Sequence, residues 1–115
     1  MDHGTEKRLQ EAGIDTAAGI KRTAGNEALF LRLLHKFEAD PNYAGFQEKL
    51  EEGDLVQAER HLHTLKGVSA NLSMTRLYPA CQEADTQLKQ GKRPSNLDAV
   101  QRAYDEVIGA IHDLD

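Results

Sequence analysis

Residues 55–72 read Leu-Val-Gln-Ala-Glu-Arg-His-Leu-His-Thr-Leu-Lys-Gly-Val-Ser-Ala-Asn-Leu, and how this run folds decides the architecture. Leu55, Ala58, Leu62, Leu65, Ser69 and Leu72 recur at steps of three and four. On a helix they form one stripe that must be buried. At about 100° per residue, His63 lies roughly 125° from the centre of that stripe and points mostly at water. Lys66 and Gly67 follow it by three and four residues and share its face. An exposed imidazole, a flanking ammonium and a missing side chain make a small reactive platform on a helix whose other side belongs to a core.

Outward from this helix, the flanking sequence is punctuated for more helices. Gly53 closes the preceding segment, and Asp54, with Gln57 three residues on, approximates a capping box. Upstream, Asp15 is placed to cap a short helix ending before Gly25. Asn26 caps the next, whose stripe is Leu29, Phe30, Leu33, Leu34 and Phe37. Asp40-Pro41 is a stop and restart, with Phe46 and Leu50 facing inward beyond it. Downstream, Ser73 is expected to cap a helix with the stripe Leu77, Cys81, Ala84 and Leu88, closed by Gly91. Pro79 predicts a late start or a kink near Tyr78. Ser95 is expected to cap the last helix, whose inward positions are Leu97, Val100, Tyr104, Val107, Ile111 and Leu114. Residues 1–13 are polar and contain two glycines; they read as a flexible lead-in to a domain spanning 14–115. No strand-like alternation occurs. The expected fold is all-α, a monomeric antiparallel four-helix bundle with additional short N-terminal helices.

Bulk properties narrow the function. A chain of 115 residues holds one domain with one core. A net charge of -5 argues against nucleic acid and against an anionic membrane surface as partners. The single Cys81 forms no internal disulfide and reads as a small core residue. No apolar run approaches membrane length, so a cytoplasmic location is expected, either free or as part of a membrane-bound hybrid kinase.

The reactive residues exclude several chemistries. His61 and His63 lie about 200° apart around a helix and cannot chelate one ion together. No His pair at helical spacing and no Cys pair occurs, so no metal site is expected. No phosphate-binding glycine loop and no serine nucleophile elbow is present. His61 falls nearer the core edge and reads as a boundary residue. Lys89, Lys92 and Arg93 form a short basic run near a helix end, which favours the helix dipole by default, with a docking contact as the alternative.

The run His63-Thr64-Leu65-Lys66-Gly67-Val68-Ser69-Ala70-Asn71-Leu72 resembles the signature of the histidine phosphotransfer (HPt) domain. In that family Lys and Gly follow the histidine by three and four residues, and small residues and an aliphatic come next. Gly53-Asp54 is similar to the family's entry to the active helix, and Ile14 to Phe37 to its N-terminal helices. Leu77 and the Ala84-Asp85 region resemble the following helix, where an acidic or amide residue often lies near the active histidine. The resemblance spans roughly residues 14 to 113. Three positions depart from the pattern. Ser73 stands where many members have Gly, Asp85 where Glu or Gln is more usual, and Pro79 is uncommon.

The resemblance implies a phosphorelay intermediate, a carrier and not an enzyme, that takes no cofactor or metal of its own. His63 is then the phosphoacceptor, and Lys66 neutralises phosphoryl charge as a mobile point charge. Gly67 leaves room for the partner, and Asp85 orients the ring by accepting from Nδ1–H so that Nε2 attacks. The implied partner is a receiver domain carrying a phospho-aspartate and Mg²⁺, within a hybrid histidine kinase among other carriers. Two alternatives stand beside it: a helical adaptor that is never phosphorylated, and the histidine-bearing domain of a chemotaxis-type kinase. The second requires an ATP-binding segment that this sequence does not contain.

Overall fold

The computed structural model describes residues 1–114. Seven helices follow one another through short loops: α1 His3–Glu11, α2 Thr16–Arg22, α3 Glu27–Glu38, α4 Asn42–Glu51, α5 Leu55–Asn71, α6 Leu77–Lys89 and α7 Leu97–His112. The starts are set by side chains that accept from otherwise unpaired backbone N–H groups. Asp2 accepts from Thr5, Asp15 from Ala18, Asn26 from Leu29 and Asp54 from Gln57. Pro79 falls in the first turn of α6, where no intrahelical donor is needed, so the helix begins late at Leu77.

The bundle is antiparallel, with α5 packed between α4 and α6, α7 against α6 and α3, and α1 and α2 closing one end. Ala58, Leu62, Leu65, Ser69 and Leu72 of the expected α5 stripe are all buried, and Leu55 sits half-buried at its edge. They meet Phe30, Leu34, Phe37, Phe46, Leu50, Leu77, Cys81, Ala84, Val100, Val107 and Ile111 in one core. Tyr104 of α7 stacks on Tyr43 of α4, ring centroids 3.9 Å apart, which ties those two helices together across the bundle. The fold is thus an all-α four-helix bundle with additional short helices at the N-terminus.

Three expectations are corrected. The first concerns the lead-in: residues 3–11 form α1, with Leu9 fully buried and Ala12 and Ile14 beside it in the core. A nine-residue helix with one large apolar residue carries too little periodicity to stand out in the sequence. Docking on α7 supplies the stabilisation that propensity lacks. The second concerns Ser95, which is not the cap of α7. Asn96 occupies that position without a capping hydrogen bond. Both residues are used to hold the loop on α6: the Ser95 N–H donates to Gln87 Oε1 (2.9 Å) and Asn96 Nδ2 to the Ala80 carbonyl (2.9 Å).

The third concerns Ser73, which ends α5 instead of opening α6. Its φ is +56°, in the left-handed region. The Met74 N–H returns to the Ser69 carbonyl (2.9 Å) and the Ser73 N–H to that of Ala70 (3.1 Å), the pair of bonds that defines a Schellman turn. Neighbouring backbone locks the corner: the Asp15 N–H donates to the Ser73 carbonyl and the Thr75 N–H to that of Gly13. The Ser73 hydroxyl is buried without a hydrogen-bond partner among the described residues. Glycine suits such a turn because it lacks the Cβ that opposes positive φ. Ser73→Gly is therefore expected to raise stability by up to about 1 kcal/mol, read as a higher denaturant midpoint at unchanged slope, whereas Ser73→Val should lower it.

Candidate functional site

The site is built on the faces that α5 and α6 turn to solvent. Burial of Leu62 and Leu65 fixes the rotation of α5, and His63 between them is left 60% exposed. Burial of Cys81, Ala84 and Leu88 does the same for α6 and aims Asp85 at α5. Asp85 is itself almost wholly buried, its side chain 2% exposed.

Asp85 Oδ2 accepts from Lys66 Nζ at 2.9 Å and pairs with Lys89 Nζ at 3.2 Å. Burial alone would push its carboxyl up. The Lys66 and Lys89 ammonium groups, with the neighbouring Glu59 carboxyl, outweigh burial and hold it at about 2. The same bond to Asp85 outweighs partial burial at Lys66 and raises its ammonium above the ordinary lysine value. Lys66 is therefore not a mobile charge but one clamped across the α5–α6 interface. A long, flexible stem one turn beyond His63 can bend inward to a buried carboxylate as readily as outward to water.

His63 Nδ1 lies 3.7 Å from Asp85 Oδ2 and 3.8 Å from Glu59 Oε2. Both separations exceed hydrogen-bond length, so the direct Asp85-to-Nδ1 bond is not formed here. Oδ2 is already committed to two ammonium groups, and an aspartate is one methylene shorter than the glutamate that would reach further. Gly67 is exposed, and a Cβ built on it would meet nothing within 4 Å. The surface beside His63 is open.

Other candidates fall elsewhere. His61 Nδ1 lies 3.1 Å from Asn42 Oδ1, and its ring rests on Gly45, where a Cβ would come within 2.7 Å of it. It packs α4 on α5. Cys81 is buried, and burial together with the Asp85 charge pushes its thiol up to about 12, so it is not a nucleophile. The basic run is dispersed: Lys89 joins Asp85, Arg93 donates to the Leu50 carbonyl, and Lys92 is exposed. Glu59 is the residue that the sequence reading passed over. Its signal was the spacing of four before His63, which puts it one turn back on the same face. Glu59, His63 and Asp85 each offer an atom within 4.8 Å of the others. That donor set does not fit a cation, because two ammonium groups already neutralise Asp85, and a metal would have to displace them.

The site is thus an exposed imidazole on a bundle face, with clamped positive charge beside it and clear space one turn on. A family model described as Hpt domain matches residues 31–114, and the chain belongs to that family. Hpt domains are histidine-containing phosphocarriers of phosphorelays that interact with receiver domains. Neither the comparison with curated proteins nor that with solved structures returned a match.

Two outcomes follow from this geometry. Asp85 binds its proton more weakly folded than unfolded, so the stability it contributes is present above its ordinary value and lost as pH falls from about 4 through about 2. Acid melts should show that loss, of the order of 1–2 kcal/mol, and Asp85→Asn should remove it. Gly67→Ala meets no neighbour and should raise the melting temperature, by about 1 kcal/mol of helix propensity.

Proposed function

We propose that His63 is the phosphoacceptor of a phosphorelay intermediate, taking a phosphoryl group from a receiver-domain phospho-aspartate and passing it to another receiver. The observation that carries this reading is His63 itself: 60% exposed on a rigid helix, beside Lys66 and the open surface at Gly67. The Nε2 lone pair forms the P–N bond as the P–O bond to aspartate breaks, and the carboxylate leaves with its electron pair. Nδ1 keeps the ring proton. Lys66 and Lys89 supply positive charge close to the arriving phosphoryl oxygens, which is most of what such a transfer asks of its surroundings. Mg²⁺ belongs to the receiver in this scheme. The domain is taken to extend from the N-terminal helices, since α1 and Ile14 share its core, although the family match begins at residue 31. None of the described helices is long and apolar enough to cross a membrane. The carrier is placed in the cytoplasm, free or joined to a hybrid kinase.

Incubation with a labelled phospho-receiver tests the reading. Acid-labile label is expected on the wild-type chain and absent from His63→Gln, with helical content unchanged by circular dichroism. Receiver binding without label would instead make the chain an adaptor. Gly67→Gln should slow transfer while leaving the bundle folded, because its side chain stands in the approach to His63.

A further inference from the structure

Two buried carboxylate oxygens at this site have no donor. Asp85 Oδ1 and Glu59 Oε2 are each shielded from solvent without a hydrogen-bond partner among the described residues. The two carboxyl groups face each other across the α5–α6 interface, with oxygens within 4.8 Å of each other. Two carboxylates cannot both stay ionised in such contact without repulsion, whereas a single proton between them satisfies both.

We propose that Glu59 is a positioning residue of the site: its carboxyl group keeps a proton and donates a hydrogen bond through it to Asp85 Oδ1, which leaves Asp85 Oδ2 to Lys66 and Lys89. The two lysines pull protons off Asp85, so the shared proton belongs to Glu59. The direction of the Glu59 titration agrees: its bond to Asp85, then burial, raise it above the ordinary glutamate value. The remaining charged or titratable groups facing it are His63 on its own helix and Lys89 on α6, with Lys66 reaching it through Asp85. On its α4 side, α5 presents His61, held by Asn42.

The consequence is electrostatic. With Glu59 neutral, Lys66, Lys89 and Asp85 leave one surplus positive charge beside His63. Ionised Glu59 cancels that surplus and sets a negative charge 3.8 Å from the ring. A neutral Glu59 therefore suits an incoming phosphoryl group, and an ionised one opposes it. This function of Glu59 rests on the proposed role of His63, but its protonation does not.

The experiment has two arms. Carboxyl ¹³C NMR titration of the full chain should place Glu59 above the ordinary glutamate range and return it toward that range in Asp85→Asn. An ordinary Glu59 titration in the wild type would overturn the proposal. In the second arm, transfer from a receiver phosphorylated by acetyl phosphate is timed across pH. Glu59→Ala should slow transfer about tenfold, and Glu59→Gln, which keeps a donor toward Asp85, should recover most of that loss. The ratio of the Gln rate to the wild-type rate should climb as pH rises through the Glu59 titration. Equal slowing by Ala and Gln, or a pH-independent ratio, rejects the positioning role, provided thermal melts show both variants folded. If the wild type takes no label at all, the phosphoacceptor reading fails while the titration still decides the state of Glu59.

Discussion

Helix α5 must do two incompatible things at once, and the rest of the molecule is arranged so that it can. One side carries Ala58, Leu62, Leu65 and Ser69, all without solvent access, and needs neighbours along its length. The opposite side carries His63, which is left 60% exposed. Packing α4 and α6 on the buried flanks satisfies the first demand and leaves a strip of α5 bare for the second. Hydrophobic burial at roughly 25 cal/mol per Å² fixes the rotation of the helix far more firmly than any surface contact of His63 could. The presentation of the imidazole is therefore a by-product of core packing.

Asp85 is where the core and the site meet. A lone buried carboxylate is expensive, and this one is compensated by two ammonium groups and a neighbouring carboxyl. The arrangement also immobilises Lys66, which in isolation would sample many rotamers at the surface. Charge held in place costs no reorganisation when an anionic group arrives. The same clamping occupies Asp85 Oδ2 and keeps it from His63 Nδ1, at 3.7 Å. The lysines and the ring nitrogen compete for one oxygen, and here the lysines have it.

The corner after α5 shows a second compromise. A left-handed residue is needed to turn the chain sharply into α6, and Ser73 supplies it at the expense of strain and a buried, unpaired hydroxyl. Backbone bonds to Gly13 and Asp15 hold the turn from outside, which makes the α1–α2 connection part of the same construction. The N-terminal helices thus brace the end of the bundle instead of trailing from it.

Much of this was legible from residue order alone. The 3.6-residue periodicity of residues 55–72 put His63, Lys66 and Gly67 on one outward face, because a helix converts sequence spacing directly into angle. Asp15, Asn26 and Asp54 announced helix starts for the same reason: a cap acts on backbone two or three residues away. What failed were judgements that depend on distant chain. Leu9 looks unremarkable until α7 lies beside it; Ser73 reads as a cap until backbone bonds with Gly13 and Asp15 lock its corner; Ser95 and Asn96 serve α6 and not α7. The charge network belongs to this second class. Lys66 and Asp85 stand 19 residues apart, and only the docking of α6 on α5 brings Lys66, Lys89, Asp85 and Glu59 together. Local geometry determined which residue faces water; tertiary packing decided what charge surrounds it, since Coulomb interactions follow distance in space and not along the chain.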